Sequence, residues 1–316
     1  MKRDATLKAA VLLALCGIAG LSAAATASGA PQVLAPGELS GPASEDCLSF
    51  TPDGNTAVYD LGNGSSSTIV ISRRVNGVWS KPELAPFSGQ WLDHDPAVSP
   101  DGTFIVFASN RPAVAGGPKS GNLWRVDRKG DGWGEPVRLP DSVNANPRIY
   151  APSITADGSI YFIHPDTDNI QHVFRSQYRD GVYQPAVRQM LGDPATHQKD
   201  PGIAPDESFV VFDSDAGGKK DVDRFFIAFR EGDHWGKAVD LGDGVNAGNN
   251  PWGPHIGGDG HTLYYTSDRS VKVVYPRTQE QARDDLTRLM SWDDGETNIW
   301  YLSLQPWIDA HKAGKD

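Results

Sequence analysis

Only two of the 316 residues are cysteine, Cys16 and Cys47. If an N-terminal leader is removed, one thiol remains. A lone thiol makes no internal disulfide, so the core must hold the fold together. Methionine is scarce too, at three. After residue 29 no apolar run approaches the roughly 18 residues of a membrane-spanning helix, so no span is expected. Basic residues are outnumbered, with 29 Lys and Arg against 40 Asp and Glu and a net charge of −11. A surface that acidic repels phosphate backbones, which excludes nucleic acid as a partner. There is no P-loop, no Gly-x-Ser-x-Gly elbow, no dinucleotide fingerprint and no His/Cys cluster of the zinc kind.

What the chain has in excess is turn-forming residues, with 34 glycines and 23 prolines. Together they are close to a fifth of the chain, against a usual share of about 12%. Both disfavour helix interiors and favour corners, which points to many short elements. Nine Trp, nine Tyr and eleven Phe supply large side chains suited to sheets and argue against disorder.

Residues 1–29 read as a secretory signal. Lys2 and Arg3 open it, Ala9 to Leu21 form a short apolar stretch, and Ala25-Thr26-Ala27 fits a cleavage site. Export to the periplasm or medium of a bacterium is expected. Cys16 invites a lipobox reading at Leu13-Ala14-Leu15-Cys16, but Leu15 stands where a small residue is needed, which argues against lipidation. Cys47 reads as a small buried hydrophobe.

Self-similarity decides the fold. A turn motif recurs as Thr51-Pro-Asp-Gly54, Ser99-Pro-Asp-Gly102, Thr155-Ala-Asp-Gly158, Ala204-Pro-Asp-Glu207 and Gly257-Gly-Asp-Gly260. At a fixed spacing after it comes a large apolar residue: Tyr59, Phe107, Ile163, Phe212 or Tyr265. Each copy is a hairpin of strands a and b. A second hairpin follows, with strand c marked by pairs such as Leu123-Trp124. Its corners, such as Asn76-Gly77 and Asp180-Gly181, precede Trp79, Trp133, Tyr183 and Trp235. Four antiparallel strands per unit, repeated in tandem, predict an all-β, five-bladed β-propeller. The blades fall at about 45–86, 94–140, 150–190, 199–241 and 252–304. The fifth lacks its own fourth strand, and Pro31–Pro36 echoes Pro82–Pro86, so residues 30–36 should close the ring. The single domain then runs over 30–306, with 307–316 as a tail, and a monomer is expected.

The repeats resemble the TolB-like, WD40-like propeller repeats called PD40. The carriers are Asp95-Pro-Ala-Val-Ser-Pro-Asp-Gly102, Phe107-Ala-Ser-Asn-Arg111 and Gly121-Asn-Leu-Trp124, echoed by Thr266-Ser-Asp-Arg269 and Asn298-Ile-Trp300. The resemblance implies a propeller over nearly the whole mature chain and says little about activity, because fold does not imply function.

Strand direction sorts the loops. The a–b and c–d turns share one face and are short; the b–c loops and the links between blades share the other and are long and charged, which marks a binding face. Alignment places Asp46, His94, Tyr150, Lys199 and Trp252 at the channel mouth there, next to Asp95 and Asp200. The b–c loops add Arg111, Asp268 and Arg269, and His164 ends a second strand on that side. Asp95 and Asp200 repeat, as expected of a structural role in satisfying loop donors. The preceding position varies in kind from blade to blade, as expected of a specific pocket. Aromatic faces beside carboxylates suit sugars or cationic groups.

Asp213, Asp215 and Asp221 lie in a segment resembling a calcium loop, with Gly217 and Arg224 at positions that a calcium loop fills with ligands. No other cofactor is expected. Within the 270–296 insertion, Thr278-Gln-Glu-Gln281 reads as a capping box, and Ala282, Leu286, Leu289 and Met290 share one face of a helix over 279–291. Such a helix would lie beside the mouth as a lid or an edge cover. The functional expectation is an exported binding module whose charged face meets an envelope protein, peptide or glycan. The alternative is a carbohydrate-active hydrolase or lyase using Asp95 and Asp200, with His94, Lys199 or His164 as acid or base.

Overall fold

A computed structural model describes residues 30–63, 65–217, 222–246 and 251–314; the signal segment, Cys16 and Asp221 lie outside them. The chain forms five antiparallel sheets arranged as the blades of a propeller. Strands a, b and c of the blades are Ser44–Phe50, Thr56–Gly62 and Ser67–Val75; Asp93–Val98, Phe104–Ser109 and Asn122–Lys129; Tyr150–Ile154, Ile160–Pro165 and Gln171–Ser176; Lys199–Ile203, Phe209–Ser214 and Arg224–Glu231; Trp252–Ile256, Thr262–Ser267 and Asn298–Ser303. The outer strand d is short, and in blades one, two and four it is split into two pieces on strand c.

The tight corners have the backbone their residues favour. Asn76 and Gly77 lie at φ 53° and 86°, and Asp180 and Gly181 at 52° and 82°, the double positive φ of a hairpin turn matching strand twist. The fourth strand of blade five comes from the other end of the chain: Gln32 pairs with Tyr301 and Val33 with Trp300.

The core lies between blades. Val106 and Leu123 of blade two meet Ile160 and Phe162 of blade three. Val211 and Phe225 of blade four meet Tyr265 and Trp300 of blade five. Ile299 of blade five meets Leu48 and Tyr59 of blade one. Successive residues of a strand face opposite neighbours, so strands b and c are apolar on both sides.

Blade three departs from the repeat. Its a–b turn closes from Thr155 N–H to Ser159 O, four residues on; blade two closes from Ser99 to Phe104, five residues on. One residue fewer turns every later side chain of strand b to the other face. The equivalent of Phe107 is therefore Phe162, which packs toward blade two, and not Ile163, which packs toward blade four.

Among the described residues three helices decorate the ring: α1, Asp243–Asn246; α2, Gln279–Leu289; and α3, Gln305–Lys312. α2 carries the expected capping box, Gln281 N–H donating to Thr278 Oγ1 and Thr278 N–H to Gln281 Oε1. α3 occupies much of the stretch expected as a tail. Trp307 and Ile308 pack on the core between blades four and five, and His311 stacks on Phe229 at 4.0 Å between ring centroids.

Candidate functional site

Every strand a carries the same irregularity. Its pairing with strand b shifts register between Asp46 and Ser49, His94 and Ala97, Tyr150 and Ser153, Lys199 and Gly202, and Trp252 and His255. The residue at the bulge has positive φ each time: Cys47 50°, Asp95 52°, Ala151 50°, Asp200 45° and Gly253 59°. A bulge bends its strand and re-aims one side chain. Repeated five times, it aims Cys47, Asp95, Ala151, Asp200 and Gly253 into the channel, where they line a cavity of about 30 Å³ with the prolines that follow four of them.

The ring is stitched from blade to blade through these bulges. Asp60 of blade one accepts the main-chain N–H of Asp95 at 3.2 Å, and Asp95 Oδ2 accepts that of Ala151 at 2.9 Å. Thr266 Oγ1 accepts that of Cys47 at 3.0 Å. Gly253 N–H donates to Asp200. A second tier lies deeper: Val98 N–H donates to Ser49 Oγ and Ile203 N–H to Ser153 Oγ. The structural role expected of Asp95 and Asp200 is thus visible as bonds.

The mouth is acidic beyond what that role requires. Asp46, Asp60, Asp95, Asp200 and Asp213 crowd it, and the described cations there are His94 and Lys199. His94 Nδ1 lies 3.0 Å from Asp95 Oδ2; Lys199 Nζ is bonded to Asp223. Burial pushes Asp46 up to about 6 and, with Asp95 beside it, Asp200 up to about 7. Asp60 and Asp213 are driven well above the carboxylate range, again chiefly by burial. At Asp95 burial opposes ionisation, but His94 and the donors from Ala151 and Cys47 outweigh it and hold the group down at about 2. Asp95 in turn outweighs burial at His94 and lifts it to about 9. Two carboxylates stand out because the repeats do not announce them: Asp60 and Asp213 occupy one position of strand b, opposite Asp46 and Lys199. Strand register laid over the repeat would have found Asp60.

The aligned position before each bulge carries Asp46, His94, Tyr150, Lys199 and Trp252, all partly accessible. Thr297 Oγ1, at the end of the insertion, donates to Asp46 Oδ1 at 3.0 Å. The rings of His94 and Tyr150 pack at 5.7 Å.

Of the other expected site residues, Arg111 and His164 lie elsewhere. Arg111 does not line the mouth: it is 8% exposed, bonded to Asp93 Oδ1 at 2.7 Å and to Phe87 O, and lies over Phe107 and Trp124. The short hairpin of blade three also removes His164 from the channel position. Its ring stacks on Phe174 at 3.6 Å, with Nδ1 2.8 Å from Pro165 O. Arg269 reaches Gly244 O at 2.9 Å over Trp300, and Asp268 is exposed. Asp213 sits within a strand at the mouth, and Asp215 accepts His197 N–H at 2.9 Å.

No family model matches the chain, and no curated protein matches it. Among solved structures it is similar to a thermostable family-43 glycoside hydrolase, with 9% identity, 74% of this chain and 87% of that one covered, and a TM-score of 0.53. It is also similar to a protein of Agrobacterium tumefaciens assigned to TolB, with 15% identity, 83% and 91% covered, and a TM-score of 0.49. For TolB from Acinetobacter baumannii the figures are 13%, 83% and 54%, with a TM-score of 0.46. The chain spans about half of that last protein. At such identities the likeness concerns the propeller fold alone, and the five-bladed ring agrees with the TolB-like resemblance of the repeats. Among the described residues no helix is long and apolar enough to cross a membrane.

Proposed function

We propose that this protein is an exported binding module that holds a protein, peptide or cell-envelope glycan at the mouth of its propeller channel. One observation carries the reading. The backbone before each bulge repeats five times, yet the side chain there is Asp46, His94, Tyr150, Lys199 or Trp252. A purely architectural position would tend to repeat its residue as it repeats its backbone. Two aromatic rings, an acid, an imidazole and an amine around one opening are the equipment of recognition.

The hydrolase reading draws less support. Glycosidase chemistry needs two carboxylates facing a sugar across roughly 5–9 Å. Asp95 and Asp200 instead have oxygens engaged with main-chain donors, the N–H groups of Ala151 and Gly253, that they must keep satisfied. The test is a glycan and peptide array probed with the mature protein, each hit followed by thermal shift. Hits weakened at least tenfold by Trp252→Ala or Lys199→Ala support the reading. Hits that both variants retain at wild-type level, or turnover of a glycan, overturn it.

A further inference from the structure

We propose that the channel mouth is a binding site for one divalent metal ion of borderline softness, zinc being the type, held by Cys47 Sγ and one carboxylate oxygen each of Asp60 and Asp95. The three ligand atoms lie within 4.8 Å of one another. Cys47 Sγ and Asp95 Oδ1 are 3.2 Å apart. Around a tetrahedral zinc with bonds of about 2.3 Å to sulfur and 2.0 Å to oxygen, the edge joining those atoms is about 3.5 Å. Cys47 Sγ and Asp95 Oδ1 are thus within a few tenths of an ångström of the separation a shared zinc requires, while the Asp60 oxygen has to close from within 4.8 Å to edges of about 3.3–3.5 Å.

Each donor is also aimed by neighbours, as ligands of a metal usually are. Asp60 Oδ2 accepts from Ser67 Oγ at 2.9 Å. Asp95 Oδ2 is held by Ala151 N–H and His94 Nδ1. The main chain of Cys47 is fixed by Thr266. The three come from two strands a and one strand b of adjacent blades, so an ion there would tie blade one to blade two.

A second, independent observation points to a cation at this mouth. Asp213, 1% exposed, has an Oδ1 with no hydrogen-bond partner. It stands opposite Lys199 across the strand pair, and the negative charges of Asp200 and Asp223 oppose its ionisation. A buried carboxylate without a partner is costly unless a proton or a cation joins it. The thiol decides which cation. Calcium and magnesium take oxygen ligands almost exclusively, whereas zinc accepts thiolate and carboxylate together.

Binding is an exchange. The S–H bond of Cys47 breaks, its proton leaves to solvent, and the sulfur pair goes to the metal, which takes the place of the proton now bridging Sγ and Oδ1. The fourth position opens onto the channel, where water or a donor from a bound partner completes the tetrahedron.

Titration of the full mature chain with cobalt(II) tests this. One equivalent should produce the near-ultraviolet thiolate-to-cobalt charge-transfer band, and zinc should abolish it while millimolar calcium does not. Cys47→Ser should remove the band, and Asp60→Asn should weaken zinc binding at least tenfold. Asp131→Asn, on an exposed corner, should change neither. Should Cys47→Ser fail to fold, alkylation of Cys47 in the unaltered protein reads the same contact and should slow at least tenfold with zinc. A missing band, an alkylation rate indifferent to zinc, or wild-type zinc affinity in Asp60→Asn overturns the proposal.

Discussion

Asp95 Oδ2 accepts the main-chain N–H of Ala151 at 2.9 Å, so a carboxylate of blade two is bonded to the bulge of blade three. Its other oxygen accepts from the Cys47 thiol of blade one. One side chain therefore ties three blades at the channel. Asp95→Ala leaves the half-buried Ala151 donor without its partner, which costs about 1–3 kcal/mol. Urea unfolding should show a loss of about that size. A loss under about 0.5 kcal/mol, the range of ordinary surface changes, would show that the bond does not contribute.

Blade four ends its turn with Glu207 where the other blades place glycine, at φ 59°. The exchange has a reason. Glu207 accepts from Arg175 Nε at 2.6 Å and Nη2 at 3.1 Å and from the Tyr161 hydroxyl, and Arg230 donates to that hydroxyl in turn. Left-handed backbone strain is thus outweighed by a half-buried network joining blades three and four. Glu207→Gly relieves the strain, worth about 1 kcal/mol, but removes the network's centre. Glu207→Gln keeps the strain and weakens the ion pair. Thermal unfolding should rank both below the parent, and a more stable Glu207→Gly would show that the network is decorative.

How much of this was legible depends on what a repeat can carry. The Pro-Asp-Gly turns and the Asn76-Gly77 corner fix strand order, because glycine, asparagine and proline act within a few residues of where they stand. Pro31–Pro36 announced ring closure by repeating blade-one sequence. The bulge at Cys47, Asp95, Ala151, Asp200 and Gly253 was not legible, since only Asp95 and Asp200 of the five match in kind and only pairing reveals the shift. Blade three misled by a single residue: counting forward from Thr155 finds Ile163, whereas its shorter turn puts Phe162 in that place and carries His164 away from the channel. Arg111 looked like a loop residue because its partners, Asp93 and Phe87, come from elsewhere in the chain.

His255 stands between the two ends of the channel, lining both the acidic pocket and the more apolar one opposite. Burial alone pushes it down to about 4; its polar neighbour is the uncharged Ser49 hydroxyl, 3.4 Å away. Between pH 6.5 and 4 the unfolded chain takes up a proton that the folded chain refuses. Stability contributed by the neutral ring is therefore complete above pH 6.5 and falls as pH drops toward 4. At about 1.4 kcal/mol per pH unit of offset the total is roughly 3 kcal/mol. Urea midpoints for His255→Gln should fall less than the parent's over that window. Parallel slopes would show that His255 does not titrate as its burial requires.

Helix α2 turns its polar side inward. Asp285 pairs with Arg277 and Arg288, and Arg288 Nε reaches Asp293 at 2.6 Å. Leu286, Leu289 and Met290 are 56%, 47% and 77% exposed. The helix is thus seated by ions, not by its apolar stripe. Asp285→Ala should make the 270–296 insertion more sensitive to protease, and high salt should have a similar effect on the parent. Leu286→Gln should leave cleavage unchanged. The reverse ranking would mean that the stripe, not the ion network, seats the helix.

Ring closure rests on a very short strand. Gln32 and Val33 pair with strand c of blade five, Leu34 N–H donates to Ile299 O at 2.8 Å, and the Tyr301 hydroxyl donates to Gln32 Oε1 at 2.8 Å. Val33 packs on the core between blades four and five, and Leu34 on that between five and one. Removing residues 30–36 would expose the whole edge of Asn298–Ser303, a template for pairing with another chain. The deletion should lower the melting midpoint by about 7 °C, if the edge bonds and the two side chains together contribute about 4 kcal/mol. It should also shift the protein to oligomers on size-exclusion chromatography. Leu34→Pro, which takes away one donor and leaves the core contacts of Val33 in place, should give a smaller drop and remain monomeric. If the deletion melts with the parent, closure by the N-terminal strand is not what holds the propeller shut, and the packing of α3 through Trp307 and Ile308 has to carry that role instead.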